Sequence, residues 1–75
     1  EIRIRTNAQE VALGDQITLR AELTGFDGLN YSLQWQIDDG NGWKDIKGES
    51  GDRYTFVLSE DNMNADWRVQ VIVHP

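Results

Sequence analysis

The stretch YSLQWQIDDGNGWKDI, residues 31–46, decides the fold. Apolar and polar residues alternate strictly through its first half, a period typical of a strand with one buried face. The apolar face carries Tyr31, Leu33, Trp35 and Ile37. An indole at the middle of such a face can bury on the order of 200 Å² of surface. We therefore predict that Trp35 is the centre of the core.

The second half of this stretch predicts a hairpin. Residues 38–42 read DDGNG, and Asp-Gly and Asn-Gly pairs tolerate the positive φ angles of tight turns between strands. A short partner strand follows at 43–46. Trp43 and Ile46 have opposite parity, so both cannot face the core without a bulge. We predict that Ile46 points inward and that Trp43 is at least partly exposed.

The same alternation recurs on both sides of this hairpin. The predicted strands are 2–6, 16–23, 31–38, 43–46, 53–58 and 66–74, with a brief extended piece at 10–13 that splits the first strand. The last strand is rich in valine and is predicted to be central in its sheet. Strands without a convincing helix, separated by turn signals, predict an all-β fold, an antiparallel β-sandwich.

Composition limits the core and the partners. The chain has 75 residues, 39% of them hydrophobic and 27% charged, which predicts one folded domain. A domain this small buries only about 60% of its unfolded surface, and with no cysteine its core must hold by packing alone. No apolar run approaches the ~18 residues of a membrane span. The net charge of −6 disfavours nucleic acid and anionic membranes as partners.

The sequence offers no catalytic, cofactor or metal site. Its one histidine is His74, and its carboxylates are dispersed through turns and outward strand positions, so we expect no enzyme. A Ca²⁺ loop of the EF-hand type closes with a glutamate at its twelfth position. Counted from Asp38 that position is Glu49, but the predicted strand at 43–46 lies between the acidic turn at 38–41 and Glu49. The turn therefore does not match such a loop. We interpret Arg3 and Arg5 as solvated charges of an edge strand. Trp43 is the one candidate ligand contact.

Several segments together resemble the immunoglobulin-like domains found in tandem in bacterial surface proteins. They are LQW at 33–35, NGWKDI at 41–46, YTF at 54–56 and DWRVQV at 66–71, and the resemblance covers about residues 10–73. The immunoglobulin core contains a tryptophan packed on a disulfide. Trp35 matches that tryptophan, while Ala21 and Val69 stand at the cysteine positions, which implies an apolar contact in place of the bridge.

Two departures from the immunoglobulin pattern lead to further expectations. Trp67 stands where the pattern has a corner tyrosine. An indole only donates hydrogen bonds, so we expect a packed corner. The pattern also has a G strand after the one matched by 66–74. Either the domain is a shortened variant, with residues 2–13 beside the last strand and copies strung end to end, or a G strand lies outside these residues. We favour the shortened variant.

The resemblance implies a function as well as a fold. It implies a monomeric, non-catalytic structural spacer or adhesion module of an extracellular bacterial protein, at the cell surface or secreted. The start at Glu1 rather than Met suggests one domain of a larger multidomain protein, so neighbouring domains of the same chain are expected partners. A host or cell-wall glycan or protein is a further expected partner. The alternative is a carbohydrate-binding or other ligand-binding module that uses Trp43, because an aromatic face stacks on sugar rings.

Overall fold

Two antiparallel sheets form the structure, a computed structural model that describes residues 1–7 and 10–75. The strands are β1 (Ile2–Thr6), β2 (Gln16–Leu23), β3 (Asn30–Asp38), β4 (Trp43–Asp45), β5 (Arg53–Val57) and β6 (Asp66–His74). Sheet A has the order β1-β2-β5 and sheet B the order β4-β3-β6, with no helix among the described residues. The predicted all-β sandwich is confirmed.

The core lies between the two sheets. Its buried apolar residues are Ile17, Leu19 and Ala21 from sheet A and Leu33, Trp35 and Val69 from sheet B. Trp35 is 0% exposed and is the largest fully buried side chain. Its Nε1 donates to the Gly51 carbonyl at 2.7 Å, and its ring centroid lies 6.0 Å from that of Tyr54. The prediction that Trp35 is the centre of the core is confirmed.

The predicted packing around this centre also holds. Ala21 and Val69 both belong to the buried cluster, and Ile46 packs against it. Trp67 stacks on Phe56 with ring centroids 4.3 Å apart. Its buried Nε1 has no hydrogen-bond partner among the described residues. The position that matches the corner tyrosine is therefore packed rather than hydrogen-bonded, as expected.

The brief extended piece predicted at 10–13 is not a strand. The chain after it is instead tied to the end of β5. The Gly14 N–H donates to the Leu58 carbonyl at 2.8 Å, and the Leu58 N–H donates to the Asp15 carbonyl at 2.9 Å. Gly14 has a φ of 92°, a conformation that glycine adopts without steric cost, so the chain can turn there into β2.

The predicted place of β6 at the centre of its sheet is wrong. β6 pairs with β3 along its whole length and forms one edge of sheet B. Residues 2–6 do not lie beside it, because they pair with β2. Antiparallel strands that follow each other in the chain pair readily across a short connection, which favours β1 next to β2. The shortened arrangement, with residues 2–13 beside β6, is therefore not the one observed.

The two chain ends consequently lie at the same end of the sandwich. The Thr24 N–H, just after β2, donates to the Glu1 carbonyl at 2.8 Å. At the other terminus His74 pairs with Asn30, the first residue of β3. Residues 24–29, which connect β2 to β3, run from the position beside Glu1 to the position beside His74. End-to-end stringing through Glu1 and Pro75 was expected from the shortened arrangement and does not fit this geometry.

One long edge of β6 has no partner strand among the described residues. The Trp35 N–H donates to the Glu49 carbonyl and its carbonyl accepts from the Ile46 N–H, so this peptide faces away from β6. Because peptide directions alternate along a strand, the even-numbered residues of β3 bond the even-numbered residues of β6. The peptide groups of Trp67, Val69, Val71 and Val73 therefore point outward from the free edge.

This alternation predicts the amide hydrogen exchange of β6. We expect the amides of Arg68, Gln70 and Ile72 to exchange at least about tenfold more slowly than those of Val69 and Val71, because only the former donate across the sheet. Exchange followed by NMR on the 75-residue chain measures both sets side by side. Equal protection of the two sets would show that another strand pairs with this edge.

A second prediction concerns Trp35. We expect Trp35→Ala to lose about 3–5 kcal/mol of unfolding free energy, because it leaves a large cavity. That loss is comparable with the whole stability of a small domain. Trp43→Ala is the control, since it removes an exposed indole and should retain the fold. Circular dichroism with thermal melts compares the variants, and a Trp35→Ala melt like that of the parent would contradict the central role of this residue.

Candidate functional site

Trp43 lies on the outer face of sheet B. It begins β4 and pairs with Asp38, whose parity is opposite to that of the inward-facing Trp35. The two residues of such a pair share one face of the sheet, so Trp43 also points outward. Its side chain is 39% exposed. The predicted partial exposure of Trp43 is confirmed.

Arg68 covers part of the Trp43 ring. Its guanidinium carbon lies 4.2 Å from the ring centroid. Arg68 belongs to β6, on the far side of β3 from β4, and it pairs with Gln36. A cation–π contact of this kind contributes about 0.5–1 kcal/mol at an exposed site. The contact limits the orientations of the indole, and it joins the two edge strands across the middle one.

Gln36 holds the groups around Arg68 in place. Its side chain is 8% exposed, although it lies on the outer face. Its Nε2 donates to Asp45 Oδ1 at 2.7 Å and to Gln70 Oε1 at 3.3 Å. Its Oε1 accepts from Arg68 Nε at 2.7 Å. One amide thus connects residues of all three strands of sheet B.

These residues form a surface that we call the Trp43 platform, made of Trp43, Arg68, Gln36, Asp45 and Gln70. Sequence reasoning found Trp43 but missed the other four. The alternation marked Gln36 and Gln70 as outward, yet their neighbours depend on register across strands. The platform combines an aromatic face with a guanidinium, a carboxylate and amides. It can bind a ligand with both an apolar face and hydroxyl groups.

The acidic turn between β3 and β4 is a hairpin turn, as predicted. Asp38 Oδ1 accepts from the Gly40 and Gly42 amides at 2.8 Å and 3.2 Å. Lys44 Nζ lies 3.4 Å from Asp39 Oδ2, and its charge lowers the pKa of Asp39 below the ordinary value. Both carboxylates therefore already have hydrogen-bond or ion-pair partners within the hairpin. In residues 1–7 and 10–75 no cluster of three or more His, Cys, Asp or Glu side chains is placed to hold a metal ion.

His74 lies on the same outer face, at the other end of sheet B. Its Nε2 is 2.9 Å from the Ser32 hydroxyl, and the pair is exposed. A serine nucleophile needs a base that a third group orients. Within the described part of the chain, the His74 ring has this one hydrogen bond. The pair thus lacks the orienting group of a catalytic triad.

No protein-family model matches the chain, and no curated protein or solved structure matches it. The likeness to immunoglobulin-like domains therefore rests on the residues quoted above. Across the residues that the structure describes, no helix is long and apolar enough to cross a membrane.

The exposure of Trp43 predicts how the fluorescence of the domain is quenched. Trp35 is fully buried and Trp67 is half-buried, so acrylamide should quench mainly Trp43. We expect Trp43→Phe to remove most of the quenchable emission, while Trp67→Phe leaves it. Stern–Volmer plots of the parent and the two variants measure this difference. Equal quenching of the parent and Trp43→Phe would mean that Trp43 is covered.

Proposed function

We propose that this domain is a non-catalytic adhesion module of an extracellular bacterial protein and that it binds a saccharide through the Trp43 platform. The observation that carries the proposal is the position of the platform. Trp43 pairs with Asp38 at the last residue of β3, whereas His74 pairs with Asn30 at its first residue. The platform therefore lies at the end of the sandwich opposite to both chain ends.

The distance between the two ends suits a module that projects outward. The eight residue steps from Asn30 to Asp38 cover about 27 Å at the usual rise of a strand. The whole domain measures 41 × 26 × 19 Å. Neighbouring domains of the same chain would attach beside Glu1 and Pro75, which leaves the platform free to reach a host or cell-wall glycan.

The chemistry of the platform suits a sugar ring. A pyranose has an apolar C–H face that stacks on an indole and hydroxyl groups at its rim. Asp45 accepts hydrogen bonds, Arg68 donates them, and the amide of Gln70 does both. Arg68 and Gln36 already restrict these groups, so binding loses little side-chain entropy.

The second function expected from the resemblance is a structural spacer. A spacer lengthens a chain of domains most directly when its termini lie at opposite ends. Here Glu1 and His74 lie at the same end, a geometry that favours an adhesion module over a spacer.

A glycan array tests the proposal. We expect the parent to bind a limited set of bacterial or host saccharides and Trp43→Ala to weaken that binding at least about tenfold, equivalent to 1.4 kcal/mol. Tyr31→Ala is the matched control, because Tyr31 is 41% exposed and lies at the opposite end of the same sheet. Circular dichroism checks that both variants fold.

Two outcomes would overturn the proposal. One is a parent domain that binds no saccharide on the array, which would leave the spacer function. The other is a Trp43→Ala variant that binds as tightly as Tyr31→Ala, which would place any glycan site elsewhere.

A further inference from the structure

Three arginines form a row across the outer face of sheet A. The register pairs Arg5 of β1 with Arg20 of β2, and Arg20 with Arg53 of β5. Directly paired residues share a face, and neighbouring strands lie about 4.8 Å apart. The row thus places three arginine residues side by side on neighbouring strands, with their backbones spread over about 10 Å. We call this set the arginine row.

The row is an unfavourable arrangement for stability alone. Like charges directly opposite each other destabilise a sheet. The chain as a whole carries a net charge of −6, yet four of its five arginines, Arg3 and the three of the row, lie on this one face. Positive charge is therefore concentrated on one face of a domain whose net charge is negative. Arg3 and Arg5 are exposed on the edge strand β1, as predicted, but the pairing of Arg5 with Arg20 was not predicted.

Carboxylates of the domain neutralise the positive charge of the arginine row only in part. Glu22 Oε1 contacts both Arg5 Nε and Arg20 Nη2, so one carboxylate serves two arginines. Among the described residues Arg53 has no hydrogen bond or ion pair from its guanidinium group. At least part of the donor capacity of the row therefore remains available.

The row borders a shallow depression of about 290 Å³, lined by Arg5, Thr6, Asn7, Thr18, Arg20 and Arg53. None of the described lining residues carries a carboxylate, although Glu22 outside the lining contacts two of its arginines. The Thr18 hydroxyl lies 3.0 Å from that of Thr55, on the same face. Guanidinium groups therefore dominate the electrostatics of the depression, with hydroxyl and amide groups at its margin.

We propose that this depression binds a small ligand with two or three oxyanion groups, namely carboxylate, sulfate or phosphate. Guanidinium groups bind such oxyanions through paired, charge-assisted hydrogen bonds. The spacing of the row suits groups about 5 or 10 Å apart. A long polyanion is disfavoured, because the rest of this acidic domain would repel the parts that extend beyond the row. The site is independent of the Trp43 platform, which lies on the outer face of the other sheet.

Titration with inorganic tripolyphosphate, followed by NMR at constant ionic strength, tests this inference. We expect tripolyphosphate to bind at least about tenfold more tightly than orthophosphate, because it can contact several arginines together. The amides of 5–7, 18–20 and 53 should shift. Arg53→Gln and Arg20→Gln should each weaken binding about tenfold, as expected for the loss of a hydrogen bond to a charged group.

Lys47→Gln is the matched control, because it removes one positive charge from an exposed residue outside the depression. It should leave the affinity unchanged. Without ligand, Arg53→Gln should melt no lower than the parent, since it relieves repulsion within the row and, among the described residues, removes no hydrogen bond or ion pair of the guanidinium group. This melt shows that weaker binding is not a result of unfolding. Parallel titrations with citrate and with a doubly sulfated disaccharide distinguish a carboxylate ligand from a sulfated sugar.

Two results would overturn the inference. In the first, Lys47→Gln weakens tripolyphosphate binding as much as Arg53→Gln, which would show that net charge alone is responsible. In the second, sodium chloride at equal ionic strength produces the same shifts as tripolyphosphate, which would show that only screening is observed.

Discussion

The burial of Trp35 is the interaction on which the rest of the structure depends. Its side chain fills the centre of the core, and its indole N–H bonds the Gly51 carbonyl. Its peptide group bonds both Ile46 and Glu49. One residue therefore holds the segment that carries the chain from sheet B to sheet A. A cysteine-free domain of this size has no disulfide between its sheets, so this combination of packing and hydrogen bonds holds them together.

The core is less complete near β6 and β1. Trp67 buries an indole nitrogen without a hydrogen bond among the described residues, which costs about 1–3 kcal/mol. Ile2 and Ile4 lie on the inner face of sheet A by register, yet they remain 44% and 39% exposed. Stability is thus concentrated around Trp35 and decreases towards the outer strands.

Both proposed binding surfaces lie on the outer faces of the sheets, where the core does not dictate residue identity. On sheet B the buried amide of Gln36 organises a carboxylate and a guanidinium beside an exposed indole. On sheet A the pairing of strands places three arginines in one row. The sandwich supplies rigid strands, and the function depends on the side chains that those strands present.

The sequence by itself determined the strands, their inward faces, the hairpin at 38–42 and the central place of Trp35, because a period of two and turn chemistry are local properties. It also determined that Trp43 is partly exposed, because Trp43 and Ile46 have opposite parity and Ile46 faces the core. Only the tertiary structure decided that β1 pairs with β2 and that β6 is an edge, since strand pairing joins residues distant in the chain. For the same reason the Arg68 contact and the arginine row emerged only once register brought separate strands together.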